Sequence, residues 1–361
     1  GAGAATSCPP VPDTLNMFNA SYTGRRFANR TVAVVGGTSG MGFAAAAMLV
    51  QECAREVLIG SRNARQGQLA QLVLEGIARS SRPRCGTATA ATYVQMDATD
   101  RASIRKLFGA SAFALDAVVH TAAIPGWTGD FSGLPDAAFL TAHDAVYNNL
   151  YGGTFVALEA MRYWKERRVP SPALVITSSE NGMDPCPGCA QYGASKHGLI
   201  GLATSLVSNT SDVRVSVVLP GLVDTPFTWN QARGNVVENG TLVPAPGLSG
   251  PIQIWQCVGE NGTLVEDGNC PDGGGTGYGC PCPDVARDDP RVPLLIGMLM
   301  ANTTLIHPNS VAREILALAS GTVAPGVVVV PNAEPNGQGA SPPSTRTCPD
   351  NMWLQCPVTD A

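Results

Sequence analysis

Short apolar runs alternate with longer segments of helical spacing along most of this chain. The runs are rich in Val, Ile, Leu and Ala and predict strands at 31–35, 56–59, 93–96, 117–119, 173–179, 213–219 and 326–330. Runs that are apolar throughout are typical of parallel strands, because such strands are buried on both faces of a sheet. Helical spacing between the runs, as at 44–50 and 311–319, therefore predicts an α/β fold with a doubly wound parallel sheet.

A glycine-rich turn follows the first predicted strand. Gly36, Gly40 and Gly42 lie between residues 31–35 and the first predicted helix. This order of strand, glycine turn and helix lets a pyrophosphate approach the backbone at a helix N-terminus. An ordinary turn that opens a helix is the alternative, but the position directly after a strand favours cofactor binding.

A phenol and an ammonium group lie four residues apart, at Tyr192 and Lys196. In a helix these positions share one face, so both groups can point into one cleft. A neighbouring cation favours phenolate, and we expect it to lower the pKa of Tyr192 towards the range of acid/base catalysis. Ser179 ends an apolar run upstream and can face the same carbonyl carbon. The Tyr–Lys spacing alone also occurs on solvated helices, so the hypothesis depends on the motifs together.

Taken in order, these motifs resemble the short-chain dehydrogenase/reductase family, a single-domain Rossmann fold. The family's glycine pattern is met from Val35 to Gly42, with Val35 in place of its first threonine. The resemblance extends from about residue 31 to residue 227 and resumes near residue 310. It implies hydride transfer on a nicotinamide cofactor, with catalytic residues at Asn149, Ser179, Tyr192 and Lys196.

The resemblance also implies a cofactor site made of loops that follow the strands. Its residues would be Gly36, Thr38, Ser39, Gly40, Met41, Gly42, Ser61, Arg62, Asp97, Ala98, Ala122, Tyr192, Lys196, Val223 and Thr225. Folds that prefer NAD usually carry an acid after the second strand, whereas Ser61 and Arg62 stand here, so we expect NADP. A solvated Arg62 is the alternative, and Asp97 would equally cap a helix that begins near Ala102. No metal site is expected.

One segment differs from the family pattern, and in another the position of the family's asparagine is open by one residue. His120-Thr121-Ala122-Ala123 stands where the family has Asn-Asn-Ala-Gly. Whether this turn supports the sheet and the cofactor as it does in the family is therefore an open question. We expect His120 to be structural. Asn148 immediately precedes Asn149, so the position of the helix asparagine is open by one residue.

The chain divides into an N-terminal arm at 1–30, a catalytic domain at 31–330 and a tail at 331–361 that is rich in proline and contains cysteine. Within the domain, residues 227–309 form a long insertion with four cysteines, Cys257, Cys270, Cys280 and Cys282. Long loops of this kind are usually lids or binding surfaces. We expect a disulfide-stapled lobe over the substrate cleft, and a tail held by its own cysteines.

Cysteines and glycosylation motifs favour the secretory pathway, either secretion or the lumen of the endoplasmic reticulum. The chain has eleven cysteines and six Asn-x-Ser/Thr sequons, more sequons than its composition predicts by chance. An intracellular or organellar protein with free thiols is the alternative. We expect Cys53 to be free and Cys186 to pair locally with Cys189, although a redox or zinc pair is also open. The chain begins at Gly1, which we interpret as a processed form.

Composition argues against two other kinds of partner. The net charge is −5 and no basic run is present, so a nucleic-acid partner is not expected. The apolar runs are also too short to predict a transmembrane helix. The sequence therefore predicts an NADP(H)-dependent oxidoreductase that interconverts a carbonyl and an alcohol on a small organic substrate. A homo-oligomer is one of the forms that the family resemblance allows. A retired enzyme acting as a binding subunit, and an isomerase or epimerase, are the alternatives.

Overall fold

The computed structural model describes residues 24–126, 136–186, 188–210, 212–223, 225, 227–228, 235–238, 241–244, 308–330 and 344–346. Within these ranges the strands are β1 (Thr31–Val35), β2 (Glu56–Ser61), β3 (Ala90–Gln95), β4 (Ala117–His120), β5 (Ala173–Thr177), β6 (Arg214–Pro220), β7 (Asn235–Glu238), β8 (Thr241–Pro244), β9 (Val327–Val330) and β10 (Ser344–Arg346).

The described helices alternate with these strands as the apolar pattern predicts. They are α1 (Gly40–Gln51), α2 (Ala64–Cys85), α3 (Arg101–Phe108), α4 (Asp136–Val146), α5 (Gly152–Arg167), α6 (Ala190–Asn209) and α7 (Pro308–Ser320). A π-helix at Tyr147–Tyr151 joins α4 to α5, and a 3₁₀ turn at Glu180–Gly182 follows β5. None of the described helices is long and apolar enough to cross a membrane.

Eight of the described strands form one sheet in the order β3-β2-β1-β4-β5-β6-β9-β10. Every neighbouring pair from β3 to β9 is parallel, and β10 pairs antiparallel with β9. The direction of strand order reverses between β1 and β4, which is where doubly wound sheets open a crevice for a ligand. The predicted α/β fold is therefore confirmed, and the crevice lies at the carboxyl ends of β1 and β4.

The sheet is covered by helices on both faces. One buried cluster joins alternate residues of β1 to α1, α2 and α7, and the other joins the opposite residues to α3, α5 and α6. Residues 44–47 of α1 are four consecutive buried alanines. Side chains this small let the helix pack closely against the sheet, which brings its N-terminus to the end of β1.

Some element boundaries differ from the sequence prediction. β3 begins at Ala90 because residues 90–92 pair with β2, and β5 ends at Thr177 rather than at residue 179. Residues 344–346 of the predicted tail form β10, a strand that the sequence did not predict. Of the predicted insertion, the described strands form only the antiparallel hairpin β7–β8. The cysteines of the insertion, of the tail and at Cys8 lie outside the described residues.

The structure corrects the prediction that Cys53 is free. Helix α1 ends at Gln51, and Cys53 follows it with a φ of 65° and pairs with Cys85 at the end of α2. The sequence placed Cys53 inside the helix, where it would not have faced Cys85. Cys186 pairs with Cys189, as predicted, with the Cα atoms 5.3 Å apart.

Candidate active site

The glycine turn lies between β1 and α1 and is tightly enclosed. Gly36 and Gly40 have φ angles of 84° and 51°, which side chains rarely adopt. A Cβ at Gly36 would lie 2.6 Å from the backbone nitrogen of Ala122, and one at Gly42 would collide with the carbonyl oxygen of Gly36. Glycine is therefore sterically required here, and the bare backbone leaves the N-terminus of α1 accessible to a phosphate.

The remaining residues of this turn lie where the resemblance placed them. Thr38 is buried and its carbonyl oxygen accepts a hydrogen bond from Gln66, at 3.2 Å. Ser39 is the N-cap residue of α1, without a side-chain capping bond to a described residue, and Met41 packs against the core. The first turn of α1 carries no acidic residue, which suits an anionic ligand.

Thr121 joins the altered turn after β4 to the end of β1. Its backbone N–H and its hydroxyl both donate to the carbonyl oxygen of Val35, at 2.8 and 3.0 Å. These bonds join the end of β4 to the end of β1, and Ala122 then lies against Gly36. The segment thus supports the glycine turn despite its unusual sequence. Sequence comparison with the family pattern missed this role because Thr121 occupies a position where the pattern has another residue.

The end of β2 carries the residues predicted to select NADP. The Ser61 hydroxyl is buried and lies near the phenol of Tyr93. Arg62 is exposed and donates from Nη1 to Asn148 Oδ1 at 3.1 Å. No acid follows β2 at this point. An exposed guanidinium with no acid beside it can bind a phosphate.

Asp97 and Ala98 follow β3. Asp97 accepts hydrogen bonds from the backbone N–H and hydroxyl of Thr99, both at 2.8 Å. The cap of α3 is Asp100, whose side chain accepts from the N–H of Ala102, so the alternative role of Asp97 as the helix cap is wrong. Ala98 lies beside Gly152, where a Cβ would approach it to 3.3 Å, so this loop borders the start of α5.

Ser179 and Tyr192 meet beside the end of β5. Ser179 precedes the 3₁₀ turn and accepts a hydrogen bond from the N–H of Asn181 at 3.2 Å. Tyr192 lies in the first turn of α6, and its phenol is close enough to Ser179 for that side chain to lower the pKa of Tyr192. Both side chains are 7% exposed. Two hydroxyl groups therefore converge at one half-enclosed point, as the sequence predicted.

The pKa of Tyr192 shifts opposite to the sequence expectation. Burial raises it to about 12, against the opposing effect of the hydrogen bond from Ser179. Lys196 is itself buried, which lowers its pKa to about 7, and its ammonium nitrogen lies 5.5 Å from the centre of the Tyr192 ring. That nitrogen donates to the carbonyl oxygen of Thr177 at 3.2 Å. A partly neutral lysine at this distance does not offset the cost of burying a phenolate.

Asn149 lies in the π-helix and is fully buried. Its side chain bonds both backbone groups of Ile124, at 2.8 and 2.9 Å, and donates to Ser195 Oγ at 3.1 Å. Ser195 Oγ in turn donates to the carbonyl oxygen of Tyr192 at 2.7 Å. Asn148 points to Arg62 instead. The buried asparagine that is linked to the Tyr192 helix is thus Asn149.

His120 is buried beneath the site. Neither ring nitrogen has a hydrogen-bond partner among the described residues. Burial and the charge of Lys196 lower the pKa of His120 to about 3, so the ring is neutral at physiological pH. It lies against Gly153 of α5, where a Cβ would approach Nε2 to 3.2 Å. This position between β4 and α5 is consistent with the structural role expected for it.

The segment after β6 completes the crevice. Val223 is buried, and the Thr225 hydroxyl donates to the carbonyl oxygen of Val223 at 3.4 Å. A Cβ at Gly40 would lie 3.2 Å from Thr225 Cγ2, so this loop closes over the glycine turn. Phe227 follows, with its ring 5.9 Å from that of Tyr192. Sequence analysis missed Phe227 as a site residue; an aromatic two residues after Thr225 was the available signal.

The predicted site residues thus converge at one edge of the sheet. The turns after β1, β4 and β6 contact one another there, and Ser179, Tyr192 and Lys196 lie on the neighbouring 3₁₀ turn and helix α6. No group of His, Cys, Asp and Glu in the described ranges could hold a metal ion.

Comparison with known proteins agrees with this architecture. The profile of the short chain dehydrogenase family matches residues 30–235. The 1-deoxy-11-beta-hydroxypentalenate dehydrogenase of Streptomyces avermitilis is 29% identical over 239 residues, covering 64% of this chain and 82% of that protein. Human dehydrogenase/reductase SDR family member 4 is 27% identical over 232 residues, covering 63% of this chain and 78% of that protein.

Solved structures share the same fold. The aldohexose dehydrogenase of Thermoplasma acidophilum, in ligand-free form, has a TM-score of 0.54 and 19% identity and covers 85% of this chain and 94% of its own. A likeness at this level of identity supports the fold alone. The family profile, in contrast, covers more than half of the chain, together with the glycine turn, Ser179, Tyr192 and Lys196. The chain therefore belongs to the short chain dehydrogenase family, whose members are oxidoreductases that use nicotinamide cofactors.

Proposed function

We propose that this protein is an NADP(H)-dependent oxidoreductase that interconverts a carbonyl and an alcohol on a small organic substrate. The observation that carries the proposal is that Ser179, Tyr192 and Lys196 are buried side by side, with the Lys196 nitrogen 5.5 Å from the centre of the Tyr192 ring. Bound at this crevice, a nicotinamide cofactor supplies or accepts the hydride. The residues of this chain then have to bind the substrate oxygen and move one proton.

In the reducing direction, Tyr192 is the proton donor. Its pKa of about 12 keeps the phenol protonated at physiological pH, so the proton is available when charge develops on the substrate oxygen. Ser179 donates a hydrogen bond to the same oxygen and stabilises that charge. Lys196 lies beneath Tyr192 and, when protonated, stabilises the phenolate that remains. Asn149 holds the backbone at Ile124 and connects to α6 through Ser195.

Two observations support NADP over NAD. The end of β2 presents the exposed guanidinium of Arg62, and it lacks the acid that holds a ribose 2′-hydroxyl. Gln66 is fixed nearby by its bond to the carbonyl oxygen of Thr38. Relatives with dehydrogenase names that specify a hydroxylated compound or a diol support an alcohol or carbonyl substrate.

Phe227 supports placing the insertion over the substrate cleft. The ring contacts Tyr192 at the first residue of that segment, so the chain leaves the catalytic domain beside the reacting groups. We propose that the insertion determines which substrate enters.

The first test is a fluorescence titration with NADPH and NADH, followed by assays of Tyr192→Phe with a panel of aldehydes and ketones. We expect selective NADPH binding in both proteins, and a loss of turnover of about a thousandfold or more in the variant, because it lacks the proton donor. Leu72→Ala, at an exposed side chain on α2, is the control. Wild-type turnover in Tyr192→Phe would exclude the assigned chemistry, and no binding of either nucleotide would favour a retired enzyme.

We also propose that two copies of the chain pair through α4, the π-helix and α5. These elements expose Leu140, Tyr147, Tyr151 and Leu158, with Tyr151 and Leu158 about half exposed, at spacings that place them along one side. Helix α6 lies beside α4 and exposes small residues, among them Ala194, Gly201 and Ser205. Large apolar side chains next to a small-residue surface fit a second copy of the same surface.

Finally, we propose that the protein matures in the secretory pathway. Two sequon asparagines are described, Asn29 and Asn209, and both are exposed. The pairing of Cys53 with Cys85 is also compatible with an oxidising compartment.

A further inference from the structure

A hydrogen bond links the predicted phosphate-binding arginine to the π-helix. Nη1 of Arg62 donates to Oδ1 of Asn148 at 3.1 Å, between residues 86 positions apart in the sequence. Arg62 follows β2, whereas Asn148 belongs to the π-helix that precedes α5. The bond therefore reaches across the outer end of the crevice, from one side of the sheet's switch point to the other.

Arg62 and Asn148 each make a further hydrogen bond to a neighbouring residue. Asn148 donates from Nδ2 to the carbonyl oxygen of Asp144 at 2.8 Å, so its amide oxygen is directed away from the helix and towards Arg62. The backbone carbonyl of Arg62 accepts a hydrogen bond from Gln95 at 3.0 Å. A guanidinium has five N–H donors, and the bond to Asn148 uses one. The others remain for an anion.

The chemistry of the partner matters as much as its position. A carboxylate at Asn148 would neutralise the guanidinium and repel a phosphate, while an apolar side chain would leave the arginine free to rotate. A neutral amide oxygen fixes the guanidinium and preserves its full charge. A long side chain that is already ordered loses less rotamer entropy when its ligand binds.

We propose that Asn148 is a positioning residue that determines cofactor selectivity, because it holds Arg62 in place for the 2′-phosphate of NADP. This inference rests on the proposed function for the identity of the cofactor. It assigns a role to Asn148 that is separate from that of its neighbour, because Asn149 turns inward to Ile124 and Ser195.

The test is a double-mutant cycle measured by calorimetric binding of NADPH and NADH. The proteins are wild type, Asn148→Ala, Arg62→Ala and the double variant. We expect Asn148→Ala to weaken NADPH binding about fivefold and to leave NADH unchanged, as for loss of one exposed hydrogen bond to a charged group. In the Arg62→Ala background the same substitution should change neither affinity, because Asn148 acts only through Arg62.

Two further variants separate this role from simple support of the helix. Asn148→Asp keeps the shape but adds a negative charge, and we expect it to weaken NADPH more than Asn148→Ala does. His143→Gln changes an exposed side chain of α4, one turn before the π-helix, and should leave both affinities unchanged. Thermal melting of each variant reports on folding.

Equal weakening of both nucleotides by Asn148→Ala would overturn the inference, as would a persistent effect on NADPH in the Arg62→Ala background. Wild-type preference for NADH, or binding of neither nucleotide, would overturn it together with the cofactor assignment. Binding does not require turnover. Selective NADPH binding with the predicted cycle, but no reaction with any carbonyl compound, would therefore support the role of Asn148 and reject only the proposed chemistry.

Discussion

Tyr192 and Lys196 are both buried, and burial favours the neutral form of each side chain. Burial raises the pKa of the phenol to about 12 and lowers that of the amine to about 7, so both shifts favour the neutral side chains. Such an arrangement is poor for a free phenolate and suitable for a proton donor. At residue scale, the sequence predicted which groups meet, but the sign of the tyrosine shift followed from how deeply the fold buries them.

We predict that Lys196→Met stabilises the protein without cofactor while abolishing turnover. Because the folded pKa is lowered, the unfolded chain binds more protons between pH 7 and about 10.5, so the contribution of Lys196 to stability rises with pH there. Methionine removes this dependence. We expect a melting temperature roughly 5 °C higher at pH 7, with the difference shrinking towards pH 10. Lys165→Met, at an exposed lysine of α5, is the control. A variant less stable than wild type at pH 7 would contradict the prediction.

Adjacent side chains of the π-helix point in opposite directions and bind different partners. Asn148 faces the crevice rim and Arg62, while Asn149 is buried against Ile124 and Ser195. A π-helix inserts an extra residue into a turn, and such insertions are frequent at functional sites. Sequence analysis left the register of these two asparagines open, because neither helical spacing nor composition reveals the inserted residue.

A buried carboxylate joins α3 to α5. Glu159 is 3% exposed and accepts hydrogen bonds from Arg101 and Arg105, at 2.7 to 2.9 Å, while Arg162 lies 3.6 Å away. The hydrogen bond from Arg105 is the main cause that lowers the pKa of Glu159 to about 2, and Arg101 adds to it. Because the arginines are partly exposed, water can still solvate them if the carboxylate is lost.

We predict that Glu159→Gln lowers the free energy of unfolding by about 2 kcal/mol at pH 7. A lowered folded pKa stabilises the protein above the ordinary pKa of 4.5, and this contribution is lost as the pH falls towards 2. The difference between variant and wild type should therefore shrink over that range in urea titrations. Glu166→Gln, at an exposed carboxylate that pairs with Arg162, should cost under about 0.5 kcal/mol. Equal effects from the two substitutions would argue against a special role for the buried carboxylate.

At the scale of the whole molecule, the exposed apolar side chains predict self-association. We expect a dimer in sedimentation velocity, and a monomer after Leu140→Glu combined with Leu158→Glu, because two buried carboxylates would face the partner surface. Leu72→Glu, on an exposed part of α2, should remain dimeric. A monomeric wild-type protein at micromolar concentration would exclude the proposed pairing.

Maturation in the secretory pathway is tested by peptide mapping of protein from a eukaryotic host. We expect glycans at Asn29 and Asn209, and a linked peptide pair containing Cys53 and Cys85. Closing a loop of this length contributes about 4 kcal/mol in the chain-entropy account, so reduction should lower the melting temperature. Unmodified asparagines with free thiols at Cys53 and Cys85 would favour the intracellular alternative.

The sequence by itself determined the fold class and the chemistry of the site. Apolar runs, the glycine turn and the Tyr–Lys spacing are local patterns, and each depends on contacts within one element or on the order of elements. From these the sheet and the neighbourhood of Ser179, Tyr192 and Lys196 were predicted, whereas Asn149 came from the resemblance with its register open by one residue.

The tertiary structure decided what depends on residues far apart in the chain. The pairing of Cys53 with Cys85, the bond of Thr121 to Val35, the contact of Phe227 with Tyr192 and the bridge from Arg62 to Asn148 all join separate elements. The pKa shifts belong to the same class, because burial is a property of the assembled layers. Sequence spacing specifies which side chains share a helix face, but only packing specifies what lies opposite that face.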